Sequence, residues 1–273
     1  MELKSSLSED VKKLLNKDKY SFDDVVSIMR ILRGENGCPW DRAQTSESIR
    51  ANAVEEAYEL VDAIDNKDII GQKEEIGDLL LQCVFHTVMA EENGDFDFDG
   101  VLGGLCEKLI SRHTHIFGAD KANDATEALN TWEKNKIKKY NVGTTTEYMK
   151  KIPKSMPALV YAEKAQKRAA KVGFDWDEID SVYDKINEEI DEVKNAGTSE
   201  EIEDELGDLL FAVVNLCRFT KTDPEIALNK ANNKFVRRFE YVENSLLTQG
   251  KKCEESTLTE MDKLWEQAKE KGL

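Results

Sequence analysis

One acidic signature occurs twice in this chain and constrains most of what it can become. Glu55-Glu56-x-x-Glu59 precedes Glu75-Ile76-Gly77-Asp78, and Glu188-Glu189-x-x-Glu192 precedes Glu205-Leu206-Gly207-Asp208. The flanking landmarks recur in the same order. Gly37-Cys38-Pro39-Trp40-Asp41 pairs with Gly173-Phe174-Asp175-Trp176-Asp177, Lys108-x-x-x-Arg112 with Lys234-x-x-x-Arg238, and Trp132-Glu133-x-x-Lys136 with Trp265-Glu266-x-x-Lys269. Their offsets, roughly 126 to 136 residues, far exceed the period of a solenoid, so a whole domain is duplicated.

Only four prolines and fifteen glycines interrupt 273 residues, while Glu, Lys, Leu and Ala abound, so long helices are expected. Apolar residues recur at helical spacing: Val54, Tyr58, Val61 with Ala57, Leu60, Ile64; Ile76, Leu79, Leu80, Cys83, Val84; Ile186, Ile190, Val193; and Leu206, Leu209, Leu210, Val213, Val214. These stripes predict ordinary helix packing within each half. The expected fold is all-α: an N-terminal extension over 1–20, one helical domain over 21–140, a linker over 141–157 rich in turn residues with Pro153 and Pro157, and a second helical domain over 158–273.

The acidic helices have short connections, Asp65 to Ile70 and Asn195 to Ser199, the latter with Gly197 as a C-terminal stop and Thr198 or Ser199 as a cap. Short connections make antiparallel neighbours. Residues three or four apart share a helix face, so Glu189 and Glu192 project together, as do Glu205 and Asp208. Carboxylates that converge repel one another unless cations neutralise them, which points to Mg²⁺, with Mn²⁺ as the alternative ion. A di-iron bundle would pair Glu-x-x-His motifs, whereas Glu75 and Glu205 are followed three residues later by Asp. Gly77 and Gly207 each cost about 1 kcal/mol relative to alanine inside a helix, which suggests a close approach of another backbone or of a ligand.

The formal net charge of −17 argues against a sequence-independent grip on a nucleic-acid polymer. Five widely spaced cysteines without a C-x-x-C favour neither disulfides nor a zinc ribbon and suit a reducing, cytoplasmic setting. The first nineteen residues lack a signal-peptide apolar stretch, and the most apolar run, Leu79 to Ala90, is too short for a bilayer. No P-loop is present, so cations for a phosphate must come from elsewhere. Lys185, Lys234, Arg237 and Arg238 supply them in the second half, and Trp265 and Lys269 could contact a base and a phosphate. The first half has Asn52 and Ser111 where the second has Lys185 and Arg237, which makes the second half the stronger catalytic candidate.

The duplicated E-E-x-x-E and E-x-x-D motifs, with Asn36-Gly37-Cys38-Pro39-Trp40-Asp41, Gly77-Asp78-Leu79-Leu80 and Lys234-Phe235-Val236-Arg237-Arg238, closely resemble the MazG family of nucleoside triphosphate pyrophosphohydrolases from about Tyr20 onward. The resemblance implies Mg²⁺-dependent hydrolysis of nucleoside triphosphates to the monophosphate and pyrophosphate, by water attack at the α-phosphorus, in a homodimer of all-α domains. It implies Glu189, Glu192, Glu205 and Asp208 as metal ligands and Glu188 as a base or water-orienting group. Lys185, Glu188, Glu189, Glu201, Ile202, Glu203, Asp204, Asp208, Lys234, Phe235, Val236, Arg237, Arg238, Trp265 and Lys269 would line the nucleotide site. Glu201 is a departure, standing where relatives can carry a lysine. Glu55, Glu56, Glu59, Glu75, Asp78, Lys108, Arg112, Trp132 and Lys136 would form a second site, a low-activity remnant or a module for dimerisation and regulation. The rival functions are a regulatory nucleotide- and metal-binding protein with incidental turnover, and a helical scaffold, which leaves the repeated Trp, Lys and Arg landmarks unexplained.

Overall fold

A computed structural model describes residues 8–140 and 142–273, so residues 1–7 of the expected extension and Asn141 of the expected linker lie outside the described residues. The described residues form α-helices, one short 3-10 turn and loops, with no strand. The chain divides into two compact units, between Asn135 and Lys136.

The first unit contains α1 (Glu9–Leu15), α2 (Phe22–Arg33), α3 (Pro39–Ala43), α4 (Ser46–Ile49), α5 (Asn52–Asp65), α6 (Ile69–Asn93), α7 (Phe98–Arg112), α8 (Thr114–Phe117) and most of α9 (Ala125–Tyr140). A capping box between Ser21 and Asp24 starts α2. Asp68 starts α6 by accepting from the Ile70 and Gly71 amides at 3.0 Å each, and Gly94 ends it in the left-handed region at φ 75°. Helix α2 packs on α6 around Val26, Met29, Ile49, Val84, Phe85, Val88 and Met89, all buried. Each such side chain contributes about 1.5–3 kcal/mol.

The second unit contains α10 (Thr145–Met149), α11 (Ala158–Ala170), α12 (Ile179–Asn195), α13 (Ser199–Phe219), α14 (Pro224–Thr248) and α15 (Leu258–Glu270). Within it α11 packs on α13, as α2 packs on α6. The stretch expected as a linker is folded: α10 lies inside it, Tyr148 and Ile152 are buried, and the Arg168 guanidinium stacks 3.8 Å above the Tyr148 ring centroid. Turn residues at 141–147 concealed this, because two isolated apolar anchors carry no periodic signal.

Three local expectations change. Thr198 caps α13 through a capping box with Glu201, but Gly197 is not a left-handed stop; Ala196 closes α12, and the Gly197 amide donates to Glu201 Oε2 at 2.7 Å. A Cβ added at Gly77 or Gly207 meets nothing within 4 Å, so among the described residues no other backbone makes a close approach there. The apolar stripes are covered only in part by the chain's own packing, which buries Val84 and Val214. Val54, Tyr58, Ile64, Ile76 and Leu80 are exposed, as are Leu206, Leu210 and Val213. Periodicity identifies an apolar face without saying what covers it.

Candidate active site

Glu189 and Glu205 lie eight residues on either side of Gly197, so an antiparallel pairing of α12 and α13 brings them level. One carboxylate oxygen from each of Glu189, Glu192 and Glu205 lies within 4.8 Å of the others. Glu189 is only 2 % exposed, and its Oε2 is buried without a hydrogen-bond partner. Its Oε1 sits 2.5 Å from Lys185 Nζ, which also reaches Glu188 Oε1 at 2.9 Å. These two hydrogen bonds, to Glu189 first and Glu188 second, raise the Lys185 pKa.

The crowding appears in the acids themselves. Glu192 is raised above the usual carboxylate range, first by the adjoining Glu189 carboxylate and then by burial. Glu205 is raised by burial, then by the charges of Glu189, Asp204 and Asp208. The first unit repeats the pattern with Glu56, Glu75 and Asp78, again within 4.8 Å. Burial leads in raising Glu56 and Glu75, followed by Asp78 for Glu56 and Glu59 for Glu75. There the buried Gln82, through Nε2, donates to Glu56 Oε1 at 3.3 Å, and Asn52 stands in place of a lysine. A buried carboxylate with an unpartnered oxygen, surrounded by acids that resist ionisation, fits a divalent cation with oxygen preference.

Lys185, Glu189 and Asp208 also line a cavity of about 620 Å³ between α11, α12 and α13, which extends to the Gly173–Trp176 turn. Gly173 takes φ 83°, which lets the chain turn from α11 into Phe174. Opposite ion-paired carboxylate and guanidinium groups of Asp175 and Arg218 tie that turn to α13, with Nη1 to Oδ2 at 2.8 Å. Asp208 belongs to this wall but not to the tight trio.

The remaining expected residues fall into two further places. Glu201, Glu203, Asp204 and Asp208, with Glu200 and Gly207, line an open groove of about 570 Å³ along α13, and Ile202 is exposed on the same helix. Glu201 is held by the Gly197 and Thr198 amides, which lower its pKa. Lys234, Phe235, Val236 and Arg237 are exposed on α14, outside the 620 Å³ cavity. Phe235 meets Trp265 at 5.3 Å, Arg238 stacks on Trp265 at 5.7 Å and donates to the Leu273 carbonyl at 2.7 Å, and Lys269 pairs with Glu266 at 2.6 Å. In the first unit Arg112 likewise stacks on Trp132 at 4.9 Å, so the duplication extends to this contact. Glu55 and Glu59 are exposed on α5, Lys108 lies on α7 and Lys136 on α9. The sequence reading missed Gln166 and Asn215 in the cavity wall; the repeat landmark Gly173–Trp176 was the available signal for that region.

Comparisons with known proteins identify the family. A family model described as the MazG nucleotide pyrophosphohydrolase domain matches residues 44–117 and 177–244, one match for each acidic hairpin. The chain is 45% identical over 250 residues to the "Nucleoside triphosphate pyrophosphohydrolase/pyrophosphatase MazG" of Thermotoga maritima, covering 91% of this chain and 95% of that one. It is 44% identical over 253 residues to the nucleoside triphosphate pyrophosphohydrolase of Escherichia coli K12, covering 90% and 96%. No described helix is long and apolar enough to cross a membrane. With its tandem acidic hairpins, the chain belongs to the MazG nucleotide pyrophosphohydrolase family.

Proposed function

We propose that the second unit hydrolyses nucleoside triphosphates to the nucleoside monophosphate and pyrophosphate, as part of nucleotide-pool housekeeping in the cytoplasm. The observation that carries the reading is the buried Glu189, with one oxygen on Lys185 and the other unpartnered, in the wall of a nucleotide-sized cavity. Glu189, Glu192 and Glu205, with Asp208 nearby, would hold Mg²⁺ or Mn²⁺. When bound, the ion supplies charge neutralisation for the phosphates and acidifies water.

The side chains supply the rest. Lys185 is within a rotamer change of the cavity it lines, so it can leave Glu189 for a phosphate oxygen and stabilise the departing pyrophosphate. Glu188, exposed and one position off the ligand face, can accept the proton of the attacking water once Lys185 has moved. The water oxygen bonds to the α-phosphorus as the bridging oxygen leaves on pyrophosphate. Running the reaction in ¹⁸O-water tests this: label in the monophosphate supports it, and label in the pyrophosphate or release of orthophosphate refutes it.

The exposed faces of α5, α6 and α13 favour a homodimer, because Val54, Tyr58, Ile76, Leu206 and Leu210 need a partner surface and a second copy supplies a self-complementary one. Lys234, Arg237 and Trp265 would then contribute from either copy. For the first unit, acids without the Lys185 counterpart favour metal binding with a dimerising or regulatory role.

A further inference from the structure

The 620 Å³ cavity beside the carboxylates is lined by residues to which the triphosphate chemistry gives no task. Resting on the reading above, we propose that it holds the nucleobase, recognised between the Phe174 and Trp176 rings and by the Gln166 and Asn215 amides.

Continuity comes first. Lys185, Glu189 and Asp208 line the same cavity as Phe174, Trp176, Gln166 and Asn215, so a triphosphate engaged by Lys185 shares one space with these residues. The rings are available: Phe174 is 82% exposed and Trp176 48%, and an aromatic face in a cleft is a stacking platform for a base.

The polar edge is defined by hydrogen bonds that fix both amides. Gln166 is 8% exposed, and its Nε2 donates to the Phe211 carbonyl at 2.8 Å. A carbonyl oxygen can only accept, so the amide cannot be reversed, and Oε1 is left buried without a partner. Asn215 Oδ1 accepts from Arg218 Nε at 3.1 Å and Nη2 at 2.6 Å, which leaves Nδ2 as its donor. The wall thus offers one acceptor and one donor. The pairing edge of each common base presents the complementary combination.

The first unit is an internal control. Aligning Gly37 and Trp40 with Gly173 and Trp176 places Met29, Arg30 and Arg33 opposite Ala165, Gln166 and Ala169, and aligning the acidic helices places Phe85 opposite Asn215. Met29 and Phe85 are buried, and Arg33 lies over Phe85 at 5.3 Å and donates to the Gln44 carbonyl at 3.2 Å. The carboxylates are duplicated, but the base pocket is filled.

The test compares ATP with methyl triphosphate, which has the same phosphates and no base, by kcat/KM for pyrophosphate release by the full chain in saturating Mg²⁺. Wild type prefers ATP. Gln166→Leu, and Asn215→Phe, which imports the first unit's residue, each lose tenfold or more of that preference. Trp176→Ala, at an exposed position that spares the fold, loses it too, and Trp176→Phe recovers it. Variants that retain the wild-type preference, or a wild type that does not prefer ATP, overturn the proposal. Isothermal titration with an ATP analogue carrying a non-hydrolysable α,β-imido bridge separates the two readings. If wild type releases no pyrophosphate, tenfold weaker analogue binding by Gln166→Leu upholds the pocket while hydrolysis fails, and unchanged binding overturns the pocket.

Discussion

Replacing Lys185 by methionine tests whether the acidic cluster is built for a cation that this lysine mimics. The aliphatic stem is retained, and only the charge contacting Glu189 Oε1 at 2.5 Å and Glu188 Oε1 at 2.9 Å is lost. Removing one partner of a fully buried pair costs about 3–5 kcal/mol, whereas an exposed pair contributes about 0–1 kcal/mol. Glu189 is 3% exposed at its side chain and Lys185 38%, so an intermediate value of about 2 kcal/mol is expected. For a chain of this size that lowers the Tm by about 4–8 °C in chelator, measured by differential scanning calorimetry. Added Mg²⁺ should then stabilise the variant more than wild type, because no ammonium competes for the carboxylate. Full recovery of about 2 kcal/mol corresponds to Mg²⁺ binding about 30-fold tighter by isothermal titration. A variant as stable as wild type in chelator, or an equal Mg²⁺ shift in both proteins, would refute the reasoning.

Other substitutions probe separate parts of the account. Glu188→Gln should lower kcat by about 100-fold at saturating Mg²⁺ if Glu188 takes the proton, with KM little changed; unchanged turnover removes that role. Leu210→Asp on the exposed face of α13 should convert a dimer to a monomer in sedimentation velocity, and an unchanged sedimentation coefficient contradicts the homodimer. Asp24 is lowered to about 2 from 3.8, chiefly by the hydrogen bond from Lys17 at 2.5 Å and then by the Ser21 amide. A lowered folded-state pKa gives stability that is complete above pH about 4 and lost as pH falls towards 2. Asp24→Asn should therefore be destabilised at pH 7, and the difference from wild type should close between pH 4 and 2; a gap that persists at pH 2 contradicts the assignment.

The acidic helices were legible because their signals are local. Helical spacing fixes which carboxylates share a face, and Thr198 and Asp68 mark the helix starts that make the hairpins short. The cap also explains Glu201 without reference to a nucleotide, a role visible in Thr198-Ser199-Glu200-Glu201 itself. Gln166 and Asn215 were not legible, since a lone polar residue on a helix gives no indication that it is buried or which side of its amide is engaged. The contrast of Ala165, Ala169 and Asn215 with Met29, Arg33 and Phe85 was written in the repeat, but its meaning required knowing that these positions surround one space. The exposed Leu206 and Leu210 show the same limit, because an apolar stripe is silent about whether its cover is another helix or another molecule.

The central claim is that catalysis belongs to the second acidic hairpin. It is tested most directly by measuring pyrophosphate release from one nucleoside triphosphate by Glu189→Ala and Glu56→Ala side by side in saturating Mg²⁺. Glu189→Ala should lose activity by about 100-fold or more, as expected when a buried group at a charge-stabilising centre is removed, while Glu56→Ala keeps most of it. Loss of activity in Glu56→Ala with retention in Glu189→Ala would contradict the account.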